Sequence, residues 1–524
     1  MEEMTDPGKT GRAGGRGSGL PGLSTIPLGL AAIQFLLHIL TNGNYGMFRD
    51  EFYYIACARR LAWGYVDQPP LSLAVLAGYM RFFGDTLESI RILPALAGSA
   101  SIVLTGLIAR DLGGRRLAQG LAALCVTLAP VYLVLTGFFS MNAFDLLFWT
   151  LAFYLLVTVI RTGNARLFVA LGFVLGLGLL NKVGVLVLCG ALGLGFLVTP
   201  GRRYLRSRYL WLGAAVAALI FLPYILWQIS NGWPTLEFIA NAKQFKIADL
   251  NPLEYFLGQV TVMHPVMSAV WLAGLVALLA WRRLGPYRIL GIIYIVALVV
   301  FMLQKSKVYY LSPVYPPLIA AGAVWIERLL SRGWLRLLGP VVFVLVAAAG
   351  VLTLPLALPI LEPSKVAGYE EKIGLRPPPE EVHDSLAPIP QYFADRMGWD
   401  NMVGTVASVY RSLDAEERAE CTILADNYGE AGAIDYLGPR YGLPKAVSGH
   451  NNYYLWGPGP RSGEIVIAVG VNRERLEAAY EHVTQAAVVV SPYAMPWETD
   501  LPVYVCRGLK VPREEAWRMM KMFI

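Results

Sequence analysis

Over the first two thirds of the chain, long apolar runs alternate with short polar breaks. The runs cover 23–40, 92–109, 117–137, 144–160, 167–180, 183–199, 209–229, 263–281, 287–303, 309–326 and 337–360. Most approach the ~20 apolar residues that cross a hydrocarbon core of ~30 Å, so the pattern predicts about eleven transmembrane helices. Only Asn181 and Lys182 separate the fifth run from the sixth. The first run is followed by a polar Asn-Gly-Asn and no small-residue cleavage pattern, which favours a membrane helix over a cleaved signal peptide. Residues 1–22 are Gly-rich, polar and without apolar period, and read as a disordered tail. After about 361 the pattern changes. A Pro-rich stretch at 375–390 leads into short runs that alternate between strand and helix spacing. CTILA at 421, EIVIAVG at 464, AAVVVS at 486 and LPVYVC at 501 suit strands, while 398–412 and 472–482 suit helices. The expected organisation is a tail at 1–22, an α-helical polytopic membrane domain at 23–361 with a long loop at 42–91, and a soluble α/β domain at 362–524.

Composition agrees: 56% of residues are hydrophobic, 15% are charged, and mean hydropathy is +0.50. That excludes an ordinary soluble domain, and the 52 glycines suit closely packed membrane helices. The net charge of +7 is best read against topology. Threading eleven helices in order places Arg110, Arg115, Arg116, Arg161, Arg166, Arg202, Arg203, Arg206, Arg208, Arg282, Arg283, Arg288, Arg328, Arg332 and Arg336 on one side. Basic residues resist translocation, so that side, with the N-terminal tail, is expected to be cytoplasmic. No nucleic-acid-binding patch is needed to explain the charge. The opposite side receives the 42–91 loop, the turn at 140–143, the 230–262 loop, the turn QKSKVYY and the C-terminal domain. Cys421 and Cys506 fall there in expected strands, where either a disulfide or two buried thiols fits. No CxxC or paired histidine suggests a metal site.

The polar residues on that outer side are few. Arg49, Asp50 and Glu51 stand just beyond the first helix, with Phe52, Tyr53 and Tyr54 as interfacial anchors. A partly desolvated carboxylate such as Asp50 can act as a general base, although a solvated carboxylate paired with Arg49 or Arg59 fits the same residues. Asp67 and Gln68 precede a rigid Pro69-Pro70 turn, where Asp67 also fits a helix start. Asn142 and Asp145 stand at the mouth of the fourth apolar run, a costly place for an acid unless it faces a cavity or caps the helix. Lys305 and Lys307, followed by Tyr309 and Tyr310, suit either an anionic headgroup or snorkelling from a helix end.

In this order, these residues resemble the GT-C polytopic glycosyltransferases, in particular the bacterial family akin to protein O-mannosyltransferases, lipid A aminoarabinose transferases and Rgt-type galacturonosyl transferases. The resemblance covers most of 25–330. Asp50-Glu51 matches the acidic motif of that family's first outer loop. Asp145 matches its second acid, or in another alignment Asn142 takes that place and departs from the pattern. LGLGLLNKVGVL, with Lys182, resembles its Gly-rich segment, and KVYYLSPVYPPLIAA its basic-Tyr-Leu-x-Pro-x-Tyr-Pro signature. In the C-terminal domain, LADNYGEAGAIDYLGPRYGLPKAVSGHNNYYLWGPG is similar to a segment of many bacterial members.

The resemblance implies an inner-membrane enzyme that moves one sugar, with inversion, from a polyprenyl-phosphate donor to an extracytoplasmic acceptor. Asp50 would serve as base, with Glu51 and Asp145 positioning substrate. Arg49, Lys305, Lys307, Tyr309 and Tyr310 would hold the donor phosphate, and Asp67, Gln68, Asn142 and Lys182 would contact substrate. No cofactor is required. Some GT-C enzymes use a divalent metal, but the carboxylate spacing here builds no site for one. The alternative is a transporter or flippase of envelope precursors, which would call for more ionisable residues at mid-membrane than the runs contain.

Overall fold

The computed structural model describes residues 22–375, 381–382 and 387–524. The tail expected over 1–22 therefore lies, apart from Gly22, outside the described residues, as do 376–380 and 383–386 of the Pro-rich stretch at 375–390.

The membrane part is a bundle of apolar helices, as the pattern predicts, but several of the expected spans are broken. Among the described residues, five helices are long and apolar enough to cross a membrane, or up to seven if two sharply bent pairs each count as one span. Four further apolar helices, Ile26–Thr41, Leu71–Phe83, Arg116–Leu128 and Leu167–Asn181, are shorter. The count of eleven full spans is thus not reproduced, and the reasons are local. The run at 117–137 breaks at Ala129, because Pro130 starts a new helix. Pro252–Met263 and Pro265–Ala280 meet at 112°, with His264 between them at φ 71° and Pro265 opening the second helix. The run at 309–326 starts as a 3₁₀ segment, Val308–Val314, and only then becomes the helix Tyr315–Leu330.

Glycines allow the closest crossings. A Cβ on Gly172 would lie 2.0 Å from the Gly213 carbonyl oxygen, and one on Gly274 would lie 1.8 Å from that of Leu318. These contacts hold Leu167–Asn181 against Arg208–Ser230, and Pro265–Ala280 against Tyr315–Leu330.

The C-terminal domain carries five strands: β1 (Thr422–Ala425), β2 (Ala446–Ser448), β3 (Ile465–Val469), β4 (Tyr480–Val489) and β5 (Leu501–Leu509). Their order is β2-β1-β3-β5-β4, with β2, β1 and β3 parallel and β5 antiparallel to both β3 and β4. Four of the strands match the expected runs. β2 is too short to show an alternation, and the helix expected at 472–482 ends at Ala479, where β4 takes over. Cys421 and Cys506 are free, buried thiols. Cys421 directly precedes β1 and Cys506 lies in β5, with β3 between those strands, so at ~4.8 Å per strand they stand beyond the reach of a disulfide.

The core does not respect the composition change near 361. Phe52, Tyr53, Ile55 and Cys57 of the helix Arg49–Ala58 share one apolar cluster with Ile423, Ile434, Ile467 and Val503 of the C-terminal domain. Gly432 makes this contact: a Cβ there would lie 2.8 Å from that of Phe52. The 42–91 loop and the C-terminal domain therefore form one platform on the helical bundle.

Candidate active site

The helix Arg49–Ala58 begins where Phe48 turns extended and Glu51, its third residue, folds back to accept the Phe48 N–H at 2.8 Å. This start sets neighbouring acids in opposite directions. Glu51 is fully buried in the platform. Its Oε1 accepts from Arg91 Nε (2.9 Å) and the Phe139 N–H (2.8 Å), and its Oε2 accepts from Arg91 Nη2 (2.6 Å) and Phe48. With every acceptor position used and no wall of the cavity formed by it, Glu51 anchors the loop. The substrate contact expected of it is replaced by this role.

Asp50 instead lines a cavity of about 520 Å³. Its side chain is 27% accessible, its Oδ1 accepts the Tyr428 hydroxyl at 2.7 Å, and Arg49 Nε lies 3.8 Å away. Tyr428 arrives by way of the Asn427 cap, whose side chain accepts from the Gly429 and Glu430 amides at 2.8 and 3.1 Å. Gly429 completes the fit, since a Cβ there would fall 2.3 Å from Arg49 Cγ. The Arg49 guanidinium lies 3.7 Å from Asp395 and 5.6 Å from the centre of the Tyr428 ring. Burial opposes its charge, but Asp395, Tyr428, Glu381 and Asp50 together hold its pKa well above the ordinary value. Burial raises Asp395 to about 7. Asp67 also lines the cavity, accepts the Tyr53 hydroxyl at 2.8 Å, and is raised by burial to about 6.

Across the cavity stand Lys307 and Lys246. Lys246 ends a π-helical turn, Ala242–Lys246, and its backbone oxygen accepts the Val382 N–H at 3.1 Å. Glu381 reaches Lys307 at 2.6 Å and Lys246 at 3.8 Å. Burial works against its charge, yet the two lysines and Arg49 hold its carboxyl below the usual range. Burial lowers Lys246. Away from these charges the walls turn apolar, with Pro130, Val131, Val134, Leu135, Phe138 and Leu356.

Asn142, Tyr309 and Tyr310 also line the cavity, and Lys182 and Asp145 stand behind them. Ser140 caps the helix Met141–Thr162, which sets Asn142 and Asp145 in its first turns. Lys182 Nζ donates to Asn142 Oδ1 at 2.8 Å, lies 3.6 Å from Asp145 and sits 4.2 Å over the Tyr310 ring. Lys182 and Asp145 thus brace the wall without forming it. Lys305 is turned out to an exposed pair with Asp249 at 2.6 Å, and Gln68 is fully buried outside the cavity. Neither meets the expectation of a substrate contact.

Residues 67–227, less than a third of the chain, match the family described as dolichyl-phosphate-mannose-protein mannosyltransferase. ArnT from Cupriavidus metallidurans, solved bound to undecaprenyl phosphate, superposes with a TM-score of 0.61 at 18% identity, covering 92% of this chain and 97% of that one. The chain therefore shares the fold of that ArnT. The apo form of the same ArnT gives a TM-score of 0.57 at 19% identity with the same coverage of both chains. Among curated proteins, none matches this chain in sequence.

Sequence reasoning passed over Lys246, Glu381 and Asp395. Lys246 follows an irregular turn with no helical period to orient it, and Asp395 sits in a short loop. Tyr428 lay in a polar, aromatic cluster visible in the sequence, with a capping signature from Asn427 to Glu430. Nothing local linked it to Asp50, 378 positions away.

Proposed function

We propose that this multi-pass membrane protein transfers a sugar from a polyprenyl-phosphate donor to an acceptor on the extracytoplasmic side of a bacterial inner membrane. The observation that carries the reading is one cavity that joins an accessible carboxylate, two lysines and an apolar wall. The apolar wall suits a prenyl tail. Lys246 and Lys307 suit its phosphate, and Glu381 offsets part of their charge until that phosphate arrives. The ArnT structure solved with undecaprenyl phosphate supports this assignment by its fold.

In the reaction, Asp50 takes the proton of the acceptor hydroxyl or amine as that group attacks the anomeric carbon. The bond from that carbon to the phosphate oxygen breaks, and its electron pair leaves on the phosphate facing the lysines. Attack opposite the leaving group inverts the anomeric centre. Tyr428 orients Asp50, and Asn142, Tyr309 and Tyr310 shape the wall beside it. The reading assigns no cofactor, and transfer is expected to survive EDTA.

The test is transfer in membranes supplied with defined polyprenyl-phosphate sugars, comparing wild type with Asp50→Asn. A loss on the order of 10²–10⁴-fold is expected for a general base, and undiminished transfer removes Asp50 from that role. A reporter fused after residue 361 is expected to read extracytoplasmic, and a cytoplasmic signal would place the site on the wrong side.

A further inference from the structure

A second cavity, of about 560 Å³, lies between the start of the outer loop and the C-terminal domain. It stands back to back with the first. Tyr45, Gly46 and Met47 line it while Phe48, Arg49 and Asp50 line the other, and Arg396 to Asn401 line it while Ile389 to Tyr392 line the other.

Its distinguishing residue is Arg396, which is 4% exposed. The guanidinium sits 5.6 Å from the centre of the Phe138 ring and 5.9 Å from that of Phe393. Among the described residues no carboxylate lies within ion-pairing distance of it, and its Nε is fully enclosed without a hydrogen-bond partner. The nearby acid is not available, because Glu51 spends all four acceptor positions on Arg91, Phe48 and Phe139. Arg91 and Glu51 pair with each other, which leaves Arg396 without an ion partner, while Arg440, Glu88 and Asp400 also line the cavity. Burial and then the neighbouring Arg91 pull Arg396 down to about 9, against an opposing pull from Glu51. An unpaired buried charge is costly, and a bidentate oxyanion is the group that satisfies a guanidinium best.

We propose that this cavity is an anion site in which Arg396 binds a phosphate monoester or carboxylate, apart from the lysines of the first cavity. Its existence does not depend on the donor reading. The anion can come from a lipid headgroup or from a soluble phosphoryl compound.

The test uses the full chain in nanodiscs, in a Lys246→Gln/Lys307→Gln background that removes the two lysines of the first cavity. Thermal stabilisation is read on titration with inorganic phosphate, and separately with soluble dihexanoyl phosphatidate. We expect phosphate to stabilise this background, Arg396→Gln to weaken the response on the order of 10-fold or more, as for loss of a charged hydrogen bond, and Arg396→Lys to retain part of it. A phosphatidate response that also needs Arg396 identifies a headgroup as a source, and a response to phosphate alone identifies a soluble one. Because Arg396 has no ion partner to strand, phosphate-free Arg396→Gln is expected to be no less stable than its parent. No phosphate response in the background, a response untouched by Arg396→Gln, or a clear fall in the phosphate-free Tm would overturn the proposal. The last would show that Arg396 only holds Phe138 and Phe393 in place.

Discussion

Replacing Glu51 with Gln separates two adjacent acids that the sequence presents as one motif. The substitution keeps the shape and removes the charge. One oxygen becomes an amide nitrogen, which cannot accept, so at least one guanidinium bond and one backbone bond are lost from the four that now lie between 2.6 and 2.9 Å. Arg91, also fully buried, is left charged and without its carboxylate. Stranding one partner of a buried pair costs about 3–5 kcal/mol, which is about two to three and a half decades in the folding constant. Asp50→Asn, by contrast, touches a partly open side chain and one tyrosine bond, and is expected to cost about 1 kcal/mol or less. The assay is thermal unfolding of both purified variants in detergent, with the yield of monodisperse protein as a second readout. Glu51→Gln should unfold at markedly lower temperature while Asp50→Asn stays near wild type, and the double variant Glu51→Gln/Arg91→Met should recover part of the loss. A Glu51→Gln protein of wild-type stability that fails to transfer sugar would refute the reasoning and return Glu51 to the reaction itself.

Tyr428→Phe removes the hydroxyl that orients Asp50, and should lower kcat/KM for transfer about 10–100-fold with little change in stability, a charged hydrogen bond being worth about 1.5–3 kcal/mol. Lys307→Gln should raise the donor KM by on the order of 10-fold or more, again from one lost charge-assisted bond, and an unchanged KM would remove it from the phosphate site. Asp395, held near 7 by burial against an ordinary 3.8, binds its proton more tightly folded than unfolded. Its contribution to stability is therefore full below about pH 4 and is lost as pH rises through about 7. Unfolding midpoints taken from about pH 5 to pH 8 should fall more steeply for wild type than for Asp395→Asn, and equal slopes would contradict the assignment.

What could be read from the sequence follows from how far each signal reaches. Apolar runs and strand alternations are local, so the bundle and four of the five strands could be anticipated. The break at Ala129 turns on a single residue inside an otherwise apolar stretch, which a window of membrane length averages away, whereas the bend at His264 falls at the edge of the expected 263–281 run. At the site, Asp50, Arg49, Asp67, Asn142, Lys307, Tyr309 and Tyr310 were singled out by their placement at helix ends on one face, and all of them line one cavity. The same signal drew in Glu51, Gln68, Asp145, Lys182 and Lys305, because position along the chain cannot say which way a side chain turns. Glu51 is rotated into the platform by the helix start that turns Asp50 out. Lys305 leaves its neighbour Lys307 because its backbone takes φ 52° and carries it toward Asp249. Tyr428, Lys246 and Asp395 join the site only through tertiary packing, and Gly429 and Gly432, which permit that packing, look like ordinary glycines in the sequence.

The central claim is that one cavity holds a polyprenyl phosphate with its headgroup at the lysines beside Asp50. Photo-crosslinking of purified protein with a diazirine-tailed undecaprenyl phosphate, mapped by mass spectrometry, tests it most directly. The account predicts adducts on the apolar wall around Val134, Phe138 and Leu356 that unlabelled undecaprenyl phosphate competes away and that Lys246→Gln/Lys307→Gln diminishes. Adducts confined to the outer, lipid-facing surface of the bundle, or unchanged by the double lysine variant, would contradict it.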